Sequence, residues 1–297
     1  TGGHNGMTDT QNGRPLDQAR ERVRKLRESA EGELRQELDA IDRLLEEAAQ
    51  TSETDEATEL RARLDEVVQT TAKFTSVMVH EIRIPLTSIK GYTDMLAKHV
   101  AGPLNEMQQQ FAETVRSNVS RMESLVTDVS DASKLYAGRI RLDPKPEIYK
   151  NVAQKVEKDV AELAAAREQT LTFETPSGLP LLNVDGERLA QALLKLVTNA
   201  IQYTPEGGEI TVKAEAVNGG RLKVSVIDNG IGMAPDDLAH VGERFWRAED
   251  ERVREVKGHG LGLPIAIGLI ELMNGEFFFT SERDKGSTFG FVLPGAG

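Results

Sequence analysis

Cysteine is absent from the 297-residue chain. Disulfides, thiolate metal sites and cysteine nucleophiles are therefore excluded. Positive charge is the minority: 36 Lys and Arg stand against 48 Asp and Glu, a net charge of -12. That balance argues against generic nucleic-acid binding, which needs a basic footprint. Long apolar runs are also missing. The strongest spans Leu261 to Met273, and Gly262, Pro264, Gly268 and Glu271 interrupt it. It is too short and too broken to cross a bilayer. No signal-peptide pattern opens the chain. The expectation is a cytoplasmic protein, tethered to a membrane if the chain is a fragment of a longer receptor. What is present is 39% apolar and 28% charged residues, enough for a real core and a wet surface. The length allows one large domain or two ordinary ones.

Residues 1–6 precede the first Met and read as a tag; residues 7–15 are polar, and the whole of 1–15 is expected to be disordered. Residues 16–69 read as a coiled-coil helix. Leu34, Leu38, Ile41, Leu45 and Ala48 recur at alternating steps of four and three, and Leu60, Leu64, Val67, Thr71, Phe74 and Met78 resume the pattern after the polar stretch Thr51 to Thr58. Such spacing keeps one seam toward a partner helix. The seam drifts into Ile82, Leu86, Ile89 and Leu96 before Gly102 and Pro103 stop the helix. A second helix carries Phe111, Val115, Asn118, Met122, Leu125, Val129, Ala132 and Tyr136. The two form an antiparallel hairpin over 70–141. A lone hairpin cannot cover both its seams, so a dimeric four-helix bundle is expected.

Past Gly138 the character changes. Pro144 and Pro146 mark a linker, and 147–297 read as a second domain. Helices are expected over 148–168, 185–203 and 261–273. Strands are expected over 171–175, 209–217, 221–227, 275–281 and 287–293, with a hairpin turn at Asn218-Gly219-Gly220. Helices with mostly antiparallel strands imply a two-layer α/β sandwich. The fold class is thus α plus α/β: rod, hairpin and sandwich.

Four clusters carry chemistry. His80-Glu81-Ile82-Arg83-Ile84-Pro85 comes first. His80 lies two residues past Met78, about 200° around a helix, and so points to solvent. An exposed imidazole titrates near neutrality and can act as a nucleophile. Spacing alone describes an ordinary surface histidine equally well. The second cluster is Asp185, Arg188, Asn199 and Tyr203 on one helix. Asn199 offers a neutral oxygen to a metal such as Mg²⁺, or serves as a helix cap. The third is Asp228-Asn229-Gly230-Ile231-Gly232, following a strand. Its glycines permit close backbone approach, and Asp228 can accept from an exocyclic amine, although such a turn also occurs without a ligand. The fourth, Gly258-His259-Gly260-Leu261-Gly262, opens a helix and makes an anion cradle of free N–H groups. Between the last two, residues 243–257 read as a mobile lid anchored by Phe245 and Trp246, with basic side chains able to reach a phosphate.

In this order and spacing the motifs resemble the sensor histidine kinases of two-component systems, over roughly Thr70 to Pro294. Phe245-Trp246-Arg247 matches that family's phenylalanine box, and Gly286-Ser287-Thr288-Phe289 its terminal strand. The resemblance implies a dimeric histidine-phosphotransfer hairpin and a Bergerat-type ATP-binding sandwich. It implies that His80 accepts the γ-phosphoryl group of ATP and passes it to an aspartate of a response regulator's receiver domain. Glu81 would be the base that activates His80. Asn199 would bind Mg²⁺, Asp228 would recognise adenine with Gly230 and Gly232 shaping the pocket, and Tyr203 would line it. Arg247 would sit near the γ-phosphate, and Gly258, Gly260 and Gly262 would cradle the phosphates. The rod would carry the input signal from a sensor or membrane segment outside this chain. Four positions depart from the family: Lys195 replaces an Asn, Gln202 a Lys, Ile84 a Thr or Asn, and His259 a Thr or Ser. Lys195 and Gln202 keep a second reading open, a weakly active or inactive nucleotide-binding scaffold that dimerises and docks a regulator.

Overall fold

The computed structural model describes residues 55–100, 102–256 and 258–296. The rod expected over residues 16–54 lies outside them. Two compact units divide inside the first described helix, between Met78 and Val79. That helix, α1, runs Asp55–Ala97. In the first unit, the hydroxyls of Thr75 and Ser76 turn back onto the carbonyls of Thr71 and Ala72, at 2.8 and 2.7 Å. Phe74, Val77 and Met78 are exposed.

The second unit begins with the rest of α1 and the helix that pairs with it, α2 (Glu106–Tyr136). A reciprocal cap starts α2: the Asn105 side chain accepts from the Gln108 N–H at 2.9 Å, and the Gln108 side chain accepts from the Asn105 N–H at 3.0 Å. Val79 and Leu86 of α1 pack with Val119 and Val126 of α2. Lys90 and Glu123 add an ion pair at 2.7 Å. The buried stripe shares Leu86, and the half-buried Val129, with the seam that the periodicity predicts, and otherwise departs from it. Ile82, Ile89 and Leu96 are exposed, as are Met107, Phe111, Val115 and Met122. The reason is geometric. Each helix has two apolar stripes, and the hairpin's own closure covers only one of them.

The sandwich follows. Its five-stranded sheet has the order β2-β4-β5-β7-β6, built from β2 (Thr170–Glu174), β4 (Glu209–Val217), β5 (Arg221–Asp228), β7 (Gly286–Leu293) and β6 (Glu276–Glu282). Only β2 and β4 are parallel; the other neighbours are antiparallel. Helices α3 (Tyr149–Ala165), α4 (Gly186–Tyr203) and α7 (Gly262–Leu272) supply the second layer. Their apolar stripes meet the sheet in one core, with Leu189, Leu193, Ile201, Val224, Ile265, Leu269 and Phe291 all fully buried. The segment read as a linker is partly structured. Lys145–Glu147 forms a short strand, β1, antiparallel to β3 (Leu182–Val184). Three residues at a sheet edge tolerate Pro146, which has no N–H to donate.

Both ends of α4 are fastened. At its start Asp185 Oδ1 accepts from the N–H groups of Glu187 and Arg188, each at 3.1 Å, while Oδ2 accepts from the Asp143 N–H at 3.1 Å. At its end the Gln169 amide donates to the carbonyls of Ile201 and Thr204 at 3.0 and 2.7 Å, and Arg167 donates to Thr204 at 3.0 Å. These donors satisfy carbonyls that a helix end leaves free. Asp185→Ala removes a cap and a tether. It is expected to cost about 1 kcal/mol, the usual worth of an N-cap, in urea unfolding followed by circular dichroism.

Candidate functional site

Helix α4 is dry on one side. Leu189, Ala192, Leu193, Leu196, Val197 and Ala200 are buried, so Lys195, Asn199 and Gln202 face the other way. They meet a cavity of about 680 Å³. That size falls within the range of about 300–1,000 Å³ found for small-molecule sites. Asn199, Tyr203, Asp228, Gly232, Arg247, Gly258, Gly260 and Gly262 all line it. The predicted nucleotide residues are thus brought together, apart from Gly230, which is not among the lining residues. Asp185 and Arg188, expected beside Asn199, are at the far end of α4 and line a separate polar cleft with Asp143 and Lys145.

Asp228 ends β5 on the cavity floor and is 7% exposed. Its Oδ1 accepts from the Gly230 N–H at 2.9 Å and from the Ser287 N–H at 3.2 Å. Burial pushes its carboxyl above the ordinary value, and the two N–H groups oppose that shift. No bond of its Oδ2 occurs among the described residues. Glycines make this geometry possible. A Cβ at Gly230 would lie 2.5 Å from the Tyr203 carbonyl oxygen, and one at Gly286 would lie 1.9 Å from the Asp228 carbonyl oxygen. The Ile231 N–H donates to the Tyr203 carbonyl at 3.1 Å, which ties the turn to the end of α4.

The glycine-rich run enters α7 with no side-chain cap at Leu261. The first N–H groups of such a helix point outward with its positive dipole end. Gly260 adopts φ +67°, and a Cβ there would lie 2.7 Å from the Phe245 backbone carbon. The Phe245 N–H donates to the Gly260 carbonyl at 3.0 Å. The lid is therefore bound to the cradle through the backbone. Periodicity did not reveal two short helices, α5 (Pro235–Leu238) just before the lid and α6 (Glu251–Glu255) within it. Five residues are too few to show a period. Trp246 stacks on His240 with ring centroids 5.3 Å apart. Arg247 is engaged with the lid itself, donating to the carbonyls of Gly258, Val256 and Val253. His259 is held below its ordinary pKa by burial first and then by the positive charge of Arg121.

Three cavity residues escaped the sequence reading because they come from the hairpin: Arg121, Ser124 and Asp128 of α2. Helix α2 seats on the sandwich. Gln191 donates to Asp131 at 2.6 Å, and a Cβ at Gly268 would lie 2.3 Å from Leu135 Cδ2. The Arg244 guanidinium lies 3.2 Å from the centre of the Tyr136 ring. Lys195 pairs with Asp128. No local motif marks α2 as a wall of the cavity. His80 and Glu81 are exposed on α1 and do not line it.

Among the described residues, no group of three His, Asp or Glu side chains could hold a metal ion on its own. A single oxygen from Asn199 suits Mg²⁺ that arrives with a phosphate ligand and keeps its waters. No described helix is long and apolar enough to cross a membrane.

Comparisons with known proteins converge on this arrangement. The family model described as "His Kinase A (phospho-acceptor) domain" matches residues 70–138. The one described as "Histidine kinase-, DNA gyrase B-, and HSP90-like ATPase" matches residues 184–297. The Non-motile and phage-resistance protein of Caulobacter vibrioides is 30% identical over 268 residues, covering 89% of this chain and 32% of that protein. Histidine protein kinase DivJ of the same organism is 32% identical over 229 residues, covering 75% of this chain and 37% of its own length. This chain therefore spans about a third of the length of those two relatives. Full-length ShkA, solved in complex with AMPPNP, superposes with a TM-score of 0.62 at 30% identity, covering 75% of this chain and 45% of that one.

The raised pKa of Asp228 has a sign that can be tested. Above the folded-state pKa the buried carboxylate lowers stability, and that cost disappears below the unfolded value of about 3.8. Asp228→Asn keeps an oxygen for both N–H groups and removes the charge. Its melting temperature is expected to equal or exceed the parent's near neutral pH, with the margin shrinking as the pH falls through the folded pKa. A clearly lower midpoint near neutrality contradicts this account.

Proposed function

The chain belongs to the sensor histidine kinases of two-component systems, and from that premise we propose that it phosphorylates His80 with ATP and passes the phosphoryl group to an aspartate of a response regulator. The observation that carries the nucleotide reading is Asp228: a buried carboxylate that lines the cavity, with Oδ1 held by two backbone N–H groups and Oδ2 without a bond among the described residues. That oxygen suits the exocyclic amine of adenine. The polyphosphate then extends toward Gly258, Gly260 and Gly262, where the N–H groups entering α7 favour negative charge. Asn199 would supply the protein oxygen for Mg²⁺, which when bound neutralises phosphate charge.

Transfer itself needs positioning and charge neutralisation more than covalent help. A ring nitrogen of His80 attacks the γ-phosphorus, the bond to the β,γ-bridging oxygen breaks, and ADP leaves. Glu81, its neighbour on α1, takes the proton that the imidazole must lose. His80 lies outside the cavity wall, so the sandwich must leave its seat on α2 or serve the histidine of a second copy. The linker near Asp143 is where that movement would be absorbed. Dimerisation would cover the stripe of Ile89, Leu96, Phe111, Val115 and Met122. Ile84, exposed on the same helix, has no polar group to orient a water. Dephosphorylation of the regulator by that route is not expected.

Incubation with radiolabelled ATP and Mg²⁺ tests the proposal. The chain should acquire an acid-labile, base-stable label, and His80→Ala should acquire none. An undiminished label on that variant refutes the assignment. Asp228→Asn should fold but bind ATP about tenfold or more weakly, the scale of one hydrogen bond to a charged group, because its amide would present a donor to a donor. Phe111→Glu should shift the chain from dimer to monomer in light scattering.

A further inference from the structure

Lys195 and Asp128 form the most enclosed ion pair among the described residues, with side chains 19% and 11% exposed. They come from the two structural parts that separate if the sandwich is to reach His80 of its own chain: Lys195 from α4 of the sandwich and Asp128 from α2 of the hairpin. Both line the cavity. Lys195 is one helical turn before Asn199, so the two project from the same face of α4. Its stem passes the cradle: the Lys195 Cδ lies 3.7 Å from where a Cβ on Gly262 would be. Gly262 is the first residue of α7. The lysine therefore lies beside the N–H groups that await the phosphates.

We propose that Lys195 is a phosphate-binding residue of the nucleotide site and that Asp128 is its built-in competitor. While α2 is seated, the Asp128 carboxylate occupies the ammonium and puts a negative charge at the phosphate end of the cavity. A triphosphate carries more charge and competes for the same cation. One ammonium cannot serve both anions in one geometry. Nucleotide binding and the seating of α2 then oppose each other through a single side chain. The coupling is reciprocal: ATP loosens the seat, and release of the seat tightens ATP. The other contacts of the seat, Gln191 with Asp131 and Leu135 over Gly268, carry no charge into the cavity and do not compete. Arg121 also lines the cavity from α2. Removing the Asp128 charge leaves that wall cationic, which fixes the sign of the expected effect.

The inference rests on the nucleotide reading above, and the two fail in different ways. Calorimetric titration of the full chain with AMPPNP in the presence of Mg²⁺, and separately with adenosine, distinguishes them. Absence of binding by either ligand to the parent chain overturns the nucleotide reading and this inference with it. Given binding, Asp128→Asn should tighten AMPPNP about fivefold or more, the lower end of ordinary coupling between sites. Lys195→Gln should weaken AMPPNP by at least as much, and Lys195→Arg, which keeps the cation, should stay close to the parent. Adenosine, which has no phosphate, should bind all variants alike; that equality also shows that they are folded. The decisive measurement is the double variant. The gain from Asp128→Asn should largely vanish when residue 195 is Gln. An equal gain in both backgrounds means that Asp128 acts by simple repulsion and overturns the proposal, as does a gain seen with adenosine.

Discussion

The packing of α4 against the sheet is the constraint on which the site depends. Eight residues of this helix are buried in the sandwich, and the helix cannot rotate without exposing several of them. At roughly 25 cal/mol per Å² of apolar surface, turning even two leucines to water would cost a few kcal/mol. Lys195, Asn199 and Gln202 are thereby confined to the cavity side. Asp185 at one end and Gln169 with Arg167 at the other prevent the helix from sliding. Its last carbonyls in turn position the Asp228 turn, through the Ile231 N–H on Tyr203. Core, helix and the buried Asp228 carboxylate form one continuous support.

The glycine-rich side of the cavity is built differently. Its groups are backbone, and they are held by other backbone. Gly260 touches the Phe245 main chain, and Arg247 is taken up by three lid carbonyls. The sequence resemblance places Arg247 near the γ-phosphate; in this structure its guanidinium organises the lid. A floor built into the core beside a lid held through its backbone suits a site that must close on a ligand and later release it.

The hairpin shows what one chain leaves unsatisfied. Its internal stripe, Val79 and Leu86 against Val119 and Val126, closes the two helices on each other. A second stripe, including Phe111 and Met122, is exposed. The heptad arithmetic identified apolar residues correctly but could not say which stripe faces inward, because both satisfy the same period. Only the pairing of α1 with α2 decides that.

Sequence alone determined the main elements of the sandwich, the outward direction of His80, and the residues Asn199, Tyr203, Asp228, Gly232, Arg247, Gly258, Gly260 and Gly262 that come to share one cavity. The elements and the direction of His80 follow from helical and strand periods, whereas the common site of those eight residues was implied by the resemblance of the motif order to a known family. The short elements β1, β3, α5 and α6 were illegible because three to five residues hold no period. The separation of Asp185 from Asn199 needed only the length of α4, yet their common helix suggested one cluster. The α2 wall, with Arg121 and Asp128 facing Lys195, was decided by tertiary structure. Its residues are more than sixty positions away from their partners, and no local pattern encodes a contact formed only when two separately folded surfaces meet.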